Sequence, residues 1–158
     1  MVAGVAVVAA AAPVAGWAQR APQQMGFTQL REAAEESIGS GEWGAGLPYF
    51  EELVRRFATA PEEQRQILEG VYVFLGLGYM QRYGASRDAS FLEMARDAFN
   101  RHDSDFPSGA RRHHMLLMRA DCHRGLSDWA AAAEDLEAVL SPPLEMRLQE
   151  KERRDALE

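Results

Sequence analysis

Residues 113–140 read HHMLLMRADCHRGLSDWAAAAEDLEAVL. The stretch has the layout of a helix, a short turn at Gly125-Leu126-Ser127-Asp128, and a second helix. In the second helix Trp129, Ala132, Ala133, Leu136, Val139 and Leu140 share one face at the 3.6-residue helical period. Alanines near its start let a neighbouring helix approach closely. Two short helices cannot bury both apolar faces alone, so the pattern asks for further pairs of the same kind.

The upstream chain supplies them. Residues 27–39 have helical content and end in Gly39-Ser40-Gly41, a stop signal. Glu42-Trp43 opens a second helix with a stripe of Trp43, Gly46, Leu47, Phe50, Leu53, Val54 and Phe57; Pro48 lies in its first turns, where proline is tolerated. At 59–62 the chain carries a helix-start signature, with Pro61 and then acidic side chains. The helix expected from there spans 61–83. Its middle, 71–80, is apolar on nearly all sides, which suits a central helix between two neighbours. Its Val, Tyr and Phe content also fits a buried strand, but the polar helix-forming run at 62–69 favours helix.

Beyond a loop at 84–88, Ser90-Phe91-Leu92-Glu93 matches a capping box. Phe91, Met94, Ala95, Ala98 and Phe99 form the following stripe, which ends before a turn-rich loop at 103–109. After residue 140, Ser141-Pro142-Pro143 closes the pair. The last segment, 144–157, is charged and has few apolar positions (Leu144, Leu148, Leu157). It reads as a polar capping helix, which repeat arrays need at their ends, or as the first helix of a repeat that is cut short.

The chain has 158 residues, about one domain. Its 47% hydrophobic and 26% charged content is that of an ordinary folded protein. A net charge of −7, with no basic run and no stacking-aromatic platform, argues against nucleic acid as partner. Cys122 is the single cysteine, so no intramolecular disulfide is available. Mid-helix among apolar neighbours, it reads as a small packing side chain rather than a reactive thiol.

Residues 1–18, MVAGVAVVAAAAPVAGWA, are uncharged and end in small residues, followed by the polar linker 19–26. This is the pattern of a secretory signal peptide with cleavage after Ala18, although a positive n-region is missing. The alternative is an anchor in the inner membrane. Spanning takes about 20 strongly apolar residues, whereas this run is mostly Ala and Val with Pro13 inside it.

Laid over one another, three pairs correspond, at about 27–58, 61–104 and 108–141. Their second helices give Gly46-x-x-x-Phe50, Ala95-x-x-x-Phe99 and Ala132-x-x-x-Leu136, and their first helices offer Ala34, Gly76 and Ala120 at one level. Tyr79 stands three after Gly76, and Phe57 and Phe106 each follow a stripe by seven residues. This is similar to the tetratricopeptide repeat (TPR), in which a small residue in each helix permits close packing and an aromatic fills the next gap. The spacing is longer than the usual period of about 34 residues. The run PYFEELVRRF at 48–57 resembles the repeats of bacterial envelope proteins, among them the outer-membrane assembly lipoprotein of barrel biogenesis and the periplasmic partner of the Tol–Pal system. The chain has neither the lipidation cysteine of the first nor an obvious N-terminal coiled coil like the second, so the resemblance is to the repeats and to no particular member.

The resemblance implies an all-α fold, an α-α superhelical solenoid of about three TPR-like repeats plus a C-terminal capping or truncated helix. It also implies a partner peptide on the concave face, lined by the first helix of each pair. Carried over by position, the lining is Thr28, Arg31, Glu35 and Ile38; then Val73, Leu77, Met80 and Gln81; then His114, Leu117, Asp121 and Arg124. Such a groove, apolar in the middle and charged at both ends, suits an extended or helical segment with apolar anchors. Alternatively Val73, Leu77 and Met80 are covered by another helix or by a second copy of the chain.

No enzymatic constellation and no cofactor is expected. His113, His114, Asp121 and His123 diverge on a helix and give too few ligands for a closed metal site. His102 stands at a helix end, where a protonated imidazole would meet the dipole favourably. The function expected is a non-enzymatic protein–protein interaction scaffold, exported to the periplasm or cell envelope of a bacterium. The alternatives are a self-associating structural module or the helical accessory part of a larger envelope enzyme.

Overall fold

The structure is a computed structural model that describes residues 21–141. The expected signal segment 1–18 and the expected polar helix 142–158 lie outside the described residues. A 3-10 turn, Pro22–Gln24, precedes α1 (Phe27–Gly39), α2 (Trp43–Phe57), the single turn α3 (Glu62–Arg65), α4 (Ile67–Ser86), α5 (Ser90–Asp105), α6 (Arg112–Gly125) and α7 (Trp129–Leu140). There is no strand among the described residues. Residues 71–80, ambiguous in sequence, lie within α4. Among the described residues no helix is long and apolar enough to cross a membrane.

The architecture is repeat-like. Each long helix packs chiefly on the next in chain order. Contacts at both ends make α1 and α2, and likewise α4 and α5, antiparallel. Phe27 meets Phe57 at one end of α1 and α2, while Ser37 lies against Gly46 at the other. Tyr72 reaches Asp105 at one end of α4 and α5, and Tyr79 stacks near Phe91 at the other.

The small residues that align between pairs lie in the interior. Ala34, Gly46, Gly76, Ala95, Ala120 and Ala132 are all buried. A β-carbon on Gly78 would stand 2.8 Å from both the Trp43 carbonyl oxygen and Leu47 Cδ2, so α2 and α4 touch nearly backbone to backbone there. Two apolar clusters result. The first joins α1, α2 and α4 through Leu30, Ala33, Phe50, Leu53, Leu68 and Leu75. The second joins α4, α5 and α6 through Val73, Leu92, Ala95, Phe99, Met115 and Cys122.

Several sequence expectations are corrected. The helix expected over 61–83 is two elements: α3 ends before Gln66, and α4 runs on to Ser86, where Arg87 closes it in the left-handed region at φ 59°. The capping box at Ser90 does not form. Ser90 is the first residue of α5, and its N–H donates instead to Asp88 Oδ1 at 3.0 Å. The stripe assigned to α7 is only partly buried. Trp129 is 66% exposed and Leu140 82%, and the inward positions are Ala132 and Asp135. Asp135 points inward with a partner there: Arg119 on α6 holds its carboxylate, with Nε–Oδ2 at 2.9 Å.

Candidate partner-binding face

α1 and α6 present the side chains expected of a lining. Thr28, Arg31 and Glu35 are exposed on α1, and Arg31 pairs with Glu35 at 3.3 Å; Ile38 is half-buried against the first cluster. On α6, His114, Leu117, Asp121 and Arg124 are exposed, and Arg124 pairs with Asp121 at 2.9 Å. Both ion pairs are one helical turn long and solvated, so each contributes little to stability.

α4 does not line a surface in the expected way, because it packs between α2 and α5. Val73 is 6% exposed and sits in the second cluster, so it is a core residue and not a contact residue. Leu77 and Met80 are half-buried against the same cluster, against which Met118 of α6 also packs. Gln81 has another task. Its amide nitrogen donates to the Gly41 carbonyl at 2.9 Å and its oxygen accepts from the Gly44 N–H at 2.7 Å. Gln81 thereby fastens the α1–α2 turn, in which Gly41 adopts φ 74°, to the outer end of α4. Of the expected lining, Leu77 and Met80 remain partly accessible, and so do Met118 and Leu117 of α6.

A second cleft was not read from the sequence. Leu75 and Tyr79 of α4 and Met94, Asp97, Ala98 and Arg101 of α5 enclose about 160 Å³. The Tyr79 hydroxyl at this cleft donates to Glu51 Oε1 at 2.7 Å; burial and that carboxylate push its pKa upward. The signal missed was Met94, which the stripe placed inside and which is 48% exposed. Phe27, Phe57, Gln64 and Ile67 line another, more apolar recess near the start of α1.

The buried charges act as ties between helices. Arg119 joins α7 through Asp135 to α5 through Asn100 (3.0 Å) and Asp103 (3.4 Å), and Arg112 also binds Asp103 at 2.7 Å. Glu52 on α2 is 3% exposed and accepts from Arg55 and Arg56. The Arg55 hydrogen bond, with Arg56 second to it against the opposing effect of burial, brings its pKa down to about 2. Arg56 in turn donates to the Pro22 carbonyl at 3.2 Å and pins the 3-10 turn onto α2.

Cys122 is fully buried, and burial pushes its thiol up to about 12. His113 and His114 are exposed. His102 does lie in the last turn of α5, but it is buried there, and burial lowers its pKa and disfavours the protonated form expected to meet the dipole. Among the described residues no three His, Cys, Asp or Glu side chains converge as a metal-binding group. No family model matches the chain, and neither the curated proteins nor the solved structures give a match.

Proposed function

We propose that the chain is a non-enzymatic protein–protein interaction scaffold of the TPR kind, exported to a bacterial cell envelope, that holds a partner segment on the face presented by α1, α4 and α6. The observation that carries the reading is that Leu77 and Met80 of α4 and Met118 of α6 are only half-buried against one cluster, with Leu117 of α6 38% exposed. Exposed charge pairs stand on two of these helices, Arg31–Glu35 on α1 and Asp121–Arg124 on α6. Methionines adapt their shape to a partner, and apolar side chains accompanied by charge suit an amphipathic helix or an extended segment. The burial of all six aligned small residues supports the repeat reading. Export rests on residues 1–18 alone. The test is capture of envelope proteins by the chain starting at Gln19, with Leu117→Asp as control. Leu117 is exposed, so this variant is expected to fold and to lose the partner.

A second reading, self-association, is favoured by α7. Trp129, Leu136 and Leu140 are exposed on its outer side at 66%, 39% and 82%, and apolar groups clustered on a surface mark contact sites. Light scattering across a concentration series tests it: a dimer that Trp129→Asp dissociates supports this reading.

A further inference from the structure

The end of α5, the start of α4 and the turn at 106–111 enclose one imidazole. His102 is 0% exposed, and neither of its ring nitrogens has a hydrogen-bond partner. Its Nε2 lies 4.0 Å from Glu69 Oε1, a buried carboxylate oxygen that is also without a partner. The turn is laid over both groups. The Phe106 ring sits 5.8 Å from the imidazole, centroid to centroid, and a β-carbon on Gly109 would stand 2.7 Å from Glu69 Oε1.

The charged groups facing His102 come from each element around it: Glu69 on α4, Asp103 and Asp105 on its own helix, and Arg111 in the turn. Two of them are already engaged. Asp103 is held by Arg112 at 2.7 Å and by Arg119 at 3.4 Å, and Asp105 accepts from the Tyr72 hydroxyl at 3.0 Å. Glu69 is the counter-charge left for a protonated His102. A charge-assisted hydrogen bond needs about 2.8 Å, so the two groups would have to close by about 1 Å. That movement draws Glu69 from under Gly109 or His102 from under Phe106. Buried polar groups left without partners are uncommon and costly, and a proton on one of them raises that cost further.

We propose that the turn at 106–111 is a proton-sensitive joint: a proton on His102 releases it from α4 and loosens the start of α6. The closed joint holds His102 neutral, because burial disfavours the imidazolium there. It therefore binds fewer protons than the open form. The joint is closed well above the ordinary imidazole value of about 6.5 and weakens as pH falls toward and below it, the earlier the better Glu69 receives the proton on His102 in the open form.

The test is amide hydrogen exchange on the full chain at pH 7.5 and 5.5, corrected for intrinsic rates, with the His102 ring signals followed by NMR. Expected is a loss of protection at pH 5.5 over 106–118, with α1 and α2 unchanged. His102→Leu should abolish that loss. If this variant does not fold, Glu69→Gln serves instead: removing the counter-charge should move the transition to lower pH. Equal protection at both pH values, the same loss in His102→Leu, no movement in Glu69→Gln, or a loss spread evenly over α1 and α2 would each overturn the proposal.

Discussion

The Phe99 ring fills the space in which a β-carbon on Gly76 would stand. This contact, between the middle of α5 and the middle of α4, sets how closely the central pair packs. Gly76→Ala should force the ring aside and cost about 1–3 kcal/mol, as overpacked cores do, despite the better helix propensity of alanine. Gly84 in the same helix has nothing within 4 Å of an added β-carbon. Gly84→Ala should therefore stabilise by about 0.5–1 kcal/mol. Urea unfolding of the two variants checks both signs.

The Arg119–Asp135 pair ties α7 to α6. Asp135→Ala leaves a largely buried guanidinium short of its main partner and should cost about 3 kcal/mol. Replacing both, as Arg119→Met with Asp135→Leu, should recover much of that loss, because neither charge is then stranded. A double-mutant cycle by urea unfolding measures the coupling.

Glu52 gives a pH dependence of known sign. Its folded pKa of about 2 lies below the model-compound 4.5, chiefly through the Arg55 hydrogen bond. The folded state binds fewer protons than the unfolded one between those values. Its stabilisation is therefore present above about pH 4.5 and is lost as pH falls toward 2. Melting temperatures across that window should fall less steeply in Glu52→Gln than in the unsubstituted chain.

The Cys122 thiol, buried and pushed up to about 12, should resist labelling in the folded chain. A thiol reagent at pH 8 is expected to react slowly until denaturant is added, and then fully. Fast labelling of folded protein would contradict the packing of α6 on α4 and α5.

The all-helical fold was legible because apolar and small residues recur at helical spacing. Ala34, Gly76 and Ala120, with Gly46, Ala95 and Ala132, are buried, and local spacing shows them. The outward positions of α1 and α6 were legible for the same reason. What failed depends on partners distant in sequence. Hydrophobic periodicity could not foresee that Asp135 would point inward to Arg119 and that Trp129 would lie outside. Nor could it assign Gln81 to a turn 40 residues away. α4 is apolar on nearly every side, so its pattern carries no direction, and Val73 was placed on a surface when it belongs to the core.

The binding face is tested most directly by one comparison: capture of envelope proteins by the unsubstituted chain, Leu117→Asp and Trp129→Asp, each confirmed folded by its melting temperature. The proposed function expects a partner retained by the unsubstituted chain and by Trp129→Asp and lost by Leu117→Asp. Capture indifferent to Leu117→Asp, or a self-association that Trp129→Asp alone disrupts with no partner held, would contradict it.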